Sequence, residues 1–149
     1  MNSQLAIALH ILGFLASRDG EALTSDLLAR TYGTSPVVLR RVLAKLQRAG
    51  LVETQRGAGG GSVLARDPSA MTLRDAYLAV AEREGGLLPQ HPGGCDGVIA
   101  PILANYVNQM FTEAEQALLD KLGTITIAAM DRHIRAQITA ARRSPSTDC

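Results

Sequence analysis

"QRGAGGGSVLAR", residues Gln55 to Arg66, places an arginine before a turn with four glycines in five positions, and an apolar run leaves it. Three uses suit such a stretch: a phosphate-cradling nucleotide loop, a plain hairpin turn, or a finger that reaches into a partner. A Walker-type loop ends in Lys-Ser/Thr and joins a strand to a helix. Here Ser62-Val63 follow the glycines. The flanking "LVETQR" and "SVLAR" both read as short strands, so the stretch predicts a β-hairpin with Gly57, Gly59, Gly60 and Gly61 in its tip.

The residues before the hairpin decide between turn and finger. Ser35-Pro36 combines a capping hydroxyl with proline at the first helical position, and Gly50 suits the end of the helix that follows. Within that helix Leu39, Val42, Leu43 and Leu46 form one apolar stripe. Val37, Arg41, Ala44 and Arg48 lie opposite, with Arg40 and Lys45 at the edges. A shorter helix precedes it, capped by Thr24 and closed by Gly33. Before that, residues 3 to 17 carry apolar side chains on nearly every face, as a helix buried on several sides does, and His10 falls on a buried face.

Helix, helix, tight turn, helix, hairpin is the order of a winged helix-turn-helix. A helix with one apolar face can dock on two others while its outer face enters a DNA major groove. Arg40, Arg41, Lys45 and Arg48 supply cations for phosphates, with Arg41 placed to reach a base edge. Glycines let the hairpin backbone approach DNA closely, and Arg56 at its base can enter a narrowed minor groove. The finger is therefore the favoured reading.

The charge agrees. Residues 1–66 hold eight Lys or Arg against four Asp or Glu, a balance of +4, while residues 67–149 balance at −3. A basic front half on a chain of net charge +1 points to a polyanion partner for that half alone. No stretch reaches the roughly 20 apolar residues of a membrane span, and the apolar N-terminal run has no basic flank. The expected location is the cytoplasm, with no membrane partner. No Ser–His–Asp or paired-carboxylate arrangement stands out, so catalysis is not expected.

After a break at "DPSAM", Thr72 caps a helix expected over 73–84, with Asp75 as its capping-box partner. "GGLLPQHPGG" is a loop, and Asp96 is a candidate cap for a helix over about 97–110. Residues 113–142 read as one long helix whose stripes include Leu118, Leu122, Ile125, Ile127, Ile134 and Ile138. Such a helix exposes more apolar surface than a small domain covers, and a second copy of the chain is the expected partner, making these residues a dimer core.

The region Gly33 to Ala81, "GTSPVVLRRVLAKLQRAGLVETQRGAGGGSVLARDPSAMTLRDAYLAVA", resembles the signature region of the Rrf2 family of bacterial transcription regulators. The likeness covers most of residues 5–84 and continues more loosely to about 140. It implies a mainly α fold with a small β-hairpin: a winged helix-turn-helix over 1–66, a linking helix and sensor loop over 67–95, dimerisation helices over 96–142 and a tail over 143–149. It also implies that Ser35, Val38 and Arg41 are recognition-helix contacts, that Arg56 is the wing arginine, and that double-stranded DNA with a near-palindromic operator is the partner of a homodimer. Ala58 departs from the usual wing proline, and Ser62-Val63 from the usual Tyr-Arg.

Cluster-binding members resemble one another in three closely spaced cysteines after the fourth helix, where this chain has only Cys95. One thiolate does not hold an iron–sulfur cluster that takes four ligands, so no cofactor and no metal site are expected. "HPGGCDGV" instead resembles the cluster-free branch of the family. Cys95, beside His91 and just before a helix start, has surroundings that lower a thiol's pKa, and the two are candidate redox or electrophile sensor residues. The competing reading of Cys95 is a small side chain packed under the loop. Two rival functions remain open: an iron–sulfur or metal-dependent sensor, and a winged-helix module that binds protein and not DNA.

Overall fold

Gly33, in the left-handed region at φ 72°, ends one helix, and the Ser35 hydroxyl accepts from the Val38 amide to start the next, so the chain reverses over residues 33–35. The structure, a computed structural model, describes residues 3–81 and 98–143. In chain order these form α1 (Ser3–Ala16), α2 (Ser25–Tyr32), α3 (Pro36–Arg48), β1 (Val52–Gln55), β2 (Gly61–Leu64), α4 (Leu73–Val80), α5 (Ile99–Gly123) and α6 (Ile127–Arg143).

The stripe predicted on α3 is the centre of the core: Leu39, Val42, Leu43 and Leu46 are buried against Ile7, Ala8, Ile11, Leu12 and Leu15 of α1 and Leu28 of α2. Burying each large aliphatic side chain favours folding by about 1.5–3 kcal/mol. α1 is buried on several sides as expected, but His10 is exposed. Its ring packs at 4.4 Å on Tyr32, and its Nδ1 lies 3.0 Å from Ala6 O. The apolar run around it masked a position on the open edge of the helix.

β1 and β2 pair antiparallel in the register Val52↔Leu64, Glu53↔Val63, Thr54↔Ser62 and Gln55↔Gly61. β2 also pairs on its other side. Leu23 N donates to Ser62 O at 3.0 Å and Ser62 N donates to Leu23 O at 2.8 Å. A Cβ on Gly61 would meet the Leu23 backbone at 2.6 Å, so this glycine permits the approach of a third backbone segment.

The capping box of α4 forms: Asp75 N donates to Thr72 Oγ1 and Thr72 N donates to Asp75 Oδ2. α4 stops at Val80 with Ala81 extended, shorter than the expected 73–84, and residues 82–84 lie outside those described.

The long C-terminal helix of the sequence reading is two helices. α5 runs on from Ile99 to Gly123, and α6 starts at Ile127. Between them Thr124, Ile125 and Thr126 are β-branched, and they find better partners outside a helix. Leu73 N donates to Ile125 O and Ile127 N donates to Met71 O, while Thr126 Oγ1 accepts from Ala129 N and so caps α6. Apolar spacing on both sides of the break is helical, which hid it. Ile127, expected in a dimer core, is fully buried inside its own chain, in the core cluster that also holds Met71, Ala76 and Val80. Ile125 sits half-buried in the link and not on a helix stripe.

Candidate nucleic-acid interface

With its stripe committed to the core, α3 turns its other side to solvent. Val37 is 64% exposed, and Ser35, Pro36, Val38, Arg40, Arg41, Ala44 and Arg48 are exposed with it. The helix is 13 residues, about 20 Å at 1.5 Å per residue, and its N-terminus projects with the face. Among the described residues no carboxylate pairs with Arg41. Arg40 Nη2 lies 3.5 Å from Asp26 Oδ1, an ion pair between exposed groups that water screens heavily. Arg48 Nε donates to Ala44 O on its own helix.

Lys45 departs from the expected arrangement. Its ammonium donates to Gln4 Oε1 at 2.7 Å and to Val80 O at 3.5 Å, and the residue is half-buried between α3, α1 and α4. One helical position past the exposed arc is enough to turn a lysine stem inward, where its apolar methylenes are covered and its charge meets a helix C-terminal carbonyl. Lys45 is therefore a packing residue that ties α3 to α1 and α4.

The hairpin projects from the end of α3. Gln47 Nε2 donates to Thr54 Oγ1, joining the last turn of α3 to β1, a link that no sequence pattern announced. Arg56 follows β1 directly and is exposed, without an ion pair among the described residues. Gly57 and Gly59 adopt φ of 101° and 76°, and Gly60 N donates to Gly57 O at 3.0 Å. A Cβ on Gly60 would lie 2.4 Å from Gln55 O. The turn is thus a tight five-residue tip in which Gly57 and Gly59 hold positive φ that strains other residues and Gly60 leaves no room for a Cβ.

On α5 a second surface is left open. Ile99, Ile102, Leu103, Tyr106, Met110 and Leu118 recur at helical spacing and are between 38% and 80% exposed. Leu122 is half-buried, and Ile134 and Ile138 of α6 are 44% and 47% exposed but face a groove described below. α5 is held to α4 where Tyr77 Oη donates to Glu115 Oε1 at 2.5 Å.

Cys95 and His91 lie outside the described residues. Among the described residues no group of three or more His, Cys, Asp or Glu is arranged to hold a metal, and none of the helices is long and apolar enough to cross a membrane.

A family model described as an iron-dependent transcriptional regulator, Rrf2, matches residues 1–133. The donor set does not fit an iron–sulfur cluster held by this chain alone, because the sequence has two cysteines, Cys95 and Cys149, against the four ligands a cluster takes. YwnA of Bacillus subtilis is 28% identical over 134 residues, 90% of this chain and 98% of its own length. The HTH-type transcriptional regulator IscR of Yersinia pestis is 33% identical over 97 residues, 65% of this chain and 55% of its own. Among solved structures, CymR, the global cysteine regulator of B. subtilis, superposes with a TM-score of 0.64 at 23% identity, over 89% of this chain and 96% of that one, a likeness of fold. A matching model over nine-tenths of the sequence, together with the winged-helix architecture, settles the assignment: the chain belongs to the Rrf2 family of transcriptional regulators.

Proposed function

We propose that the chain is a homodimeric, sequence-specific DNA-binding regulator, acting as a repressor by occupying its operator. The observation that carries this reading is the outer face of α3, where Ser35, Val38 and an Arg41 with no ion pair among the described residues stand exposed, while a glycine-tipped hairpin joined to the last turn of α3 presents an exposed Arg56. α3 enters the major groove, with Arg40, Arg41 and Arg48 on phosphates and base edges, and Arg56 grips the adjacent minor groove. The +4 balance of residues 1–66 strengthens encounter with the duplex.

Dimerisation is supported by the open apolar face of α5, from Ile102 and Leu103 through Leu118 and Leu122. Two α3 helices would then read half-sites about 34 Å apart, or a multiple of that, on a near-palindromic operator. The signal reaches the protein through Cys95: His91, four residues before it, and the helix that the sequence predicts just after it would both favour a reactive thiolate.

Fluorescence anisotropy on the DNA upstream of the protein's own gene tests the DNA reading. Wild-type protein is expected to bind with an affinity that falls steeply with salt, and Arg41→Ala and Arg56→Ala to lose about tenfold or more. Undiminished binding by both variants removes the contact assignment. For the signal, oxidant is expected to release DNA from the wild type and to leave Cys95→Ser bound. Release from Cys95→Ser discards the thiol.

A further inference from the structure

Between α6 and the pair α1–α2 the surface opens into a groove of about 400 Å³. Ile11, Leu28 and Leu39 form its buried floor, and Phe14, Ile134 and Ile138 stand along its walls. Two contacts fix the gap between the helices. Met130 packs over Gly13, where a Cβ would lie 3.1 Å from Met130 Cε. Arg135 bridges from α6 to the end of α1, with Nη2 on Ser17 O at 2.9 Å and Nε on Asp131 Oδ2 at 2.7 Å. The helices are held at that spacing, and half-exposed isoleucines face space that no side chain of the described residues fills.

The polar groups around the groove define what it would accept. The Arg135 charge is matched by Asp131, so the site offers no net charge to an ion. The Tyr32 hydroxyl has no hydrogen-bond partner among the described residues. His10 Nδ1 donates to Ala6 O at 3.0 Å, and Nε2 has no hydrogen-bond partner among the described residues. The volume falls in the range of roughly 300–1,000 Å³ usual for small-molecule sites, and an apolar lining with a few convergent polar groups is their usual composition.

We propose that this groove is a binding site for an uncharged, largely apolar small molecule, aromatic or branched aliphatic, carrying one hydrogen-bonding group that Tyr32 or His10 meets. A second copy of the chain has a better place to dock. The exposed apolar face of α5 runs farther, from Ile99, 80% exposed, to Leu118, whereas the groove is bounded by the Arg135–Asp131 pair. The site does not depend on the DNA-binding reading.

The test is titration of the full-length protein with N-phenyl-1-naphthylamine, an uncharged apolar fluorophore with a single N–H. Saturable binding at one site per chain is expected. Ile134→Trp, which fills the groove from a half-exposed position, is expected to weaken it by about tenfold or more, with Ile138→Asn weakening it too. Ile102→Asn on α5 is expected to leave it unchanged. Absence of saturable binding to the wild type overturns the proposal. So does equal affinity in wild type and Ile134→Trp, or loss of binding in Ile102→Asn, which moves the site to α5. A fall in molar mass on sedimentation of Ile134→Trp also overturns it, because the groove then holds a second copy.

Discussion

Ser62 and Leu23 exchange both of their backbone hydrogen bonds, at 2.8 and 3.0 Å, so the hairpin is pinned along its second strand to the segment between α1 and α2. The wing is therefore not hung from its two strand ends alone. It has a third attachment, and Gly61 is what allows it.

Gly61→Ala places a methyl 2.6 Å from the Leu23 carbonyl carbon and oxygen, both backbone atoms that cannot swing aside. The expected cost is about 1–3 kcal/mol of stability, read as a lower urea midpoint, with weaker DNA binding in the surviving fold. Ala58→Gly, in the exposed tip, serves as the control and is expected to move the midpoint little.

Lys45→Met separates packing from phosphate contact. Because the Lys45 ammonium is spent on Gln4 and Val80, the salt dependence of DNA affinity should keep its slope in this variant. Arg41→Met should lower that slope by about one unit per lost phosphate contact. Anisotropy titrations at several salt concentrations give both slopes.

Ile127→Ala should cost about 2–4 kcal/mol at any protein concentration, since the side chain is enclosed by its own chain. Leu103→Asn, on the open face of α5, should instead raise the dimer dissociation constant and leave the fold of each chain intact. Denaturation at two concentrations and sedimentation equilibrium distinguish the two behaviours.

Asp67 accepts from the Ser69 hydroxyl and amide, and these bonds, the hydroxyl first, hold its carboxyl below the ordinary aspartate value. A depressed folded-state pKa adds stability that is present above the unfolded value and lost as pH falls through the folded one. The difference in denaturation midpoint between wild type and Asp67→Ala should therefore be present near neutrality and shrink under acid conditions.

Much of this molecule was legible in its residues. The turn between α2 and α3, the stripe of α3, the hairpin and the Thr72–Asp75 box are local features, each set by capping chemistry or by a period of two or of 3.6. What escaped was decided by neighbours distant in sequence. Nothing in "TITI" announces that Ile125 and Ile127 will bond to Leu73 and Met71, so the break between α5 and α6 was read through. Lys45 and His10 were misplaced for the same reason, since period alone assigns an edge residue to neither side. The outward set of Ser35, Val38, Arg40, Arg41 and Arg48 was visible because it is simply what the apolar stripe leaves behind.

The pairing of Ile125 with Leu73 and of Met71 with Ile127 fastens the elbow between the two last helices to the front of α4, whose far end receives the Lys45 ammonium. Torque on the C-terminal arm would thereby reach α3, the proposed reading head, through a short crank made of backbone bonds to α4 and the Lys45 side chain. Two such cranks in one dimer would gear the spacing of the heads to whatever twists the arms.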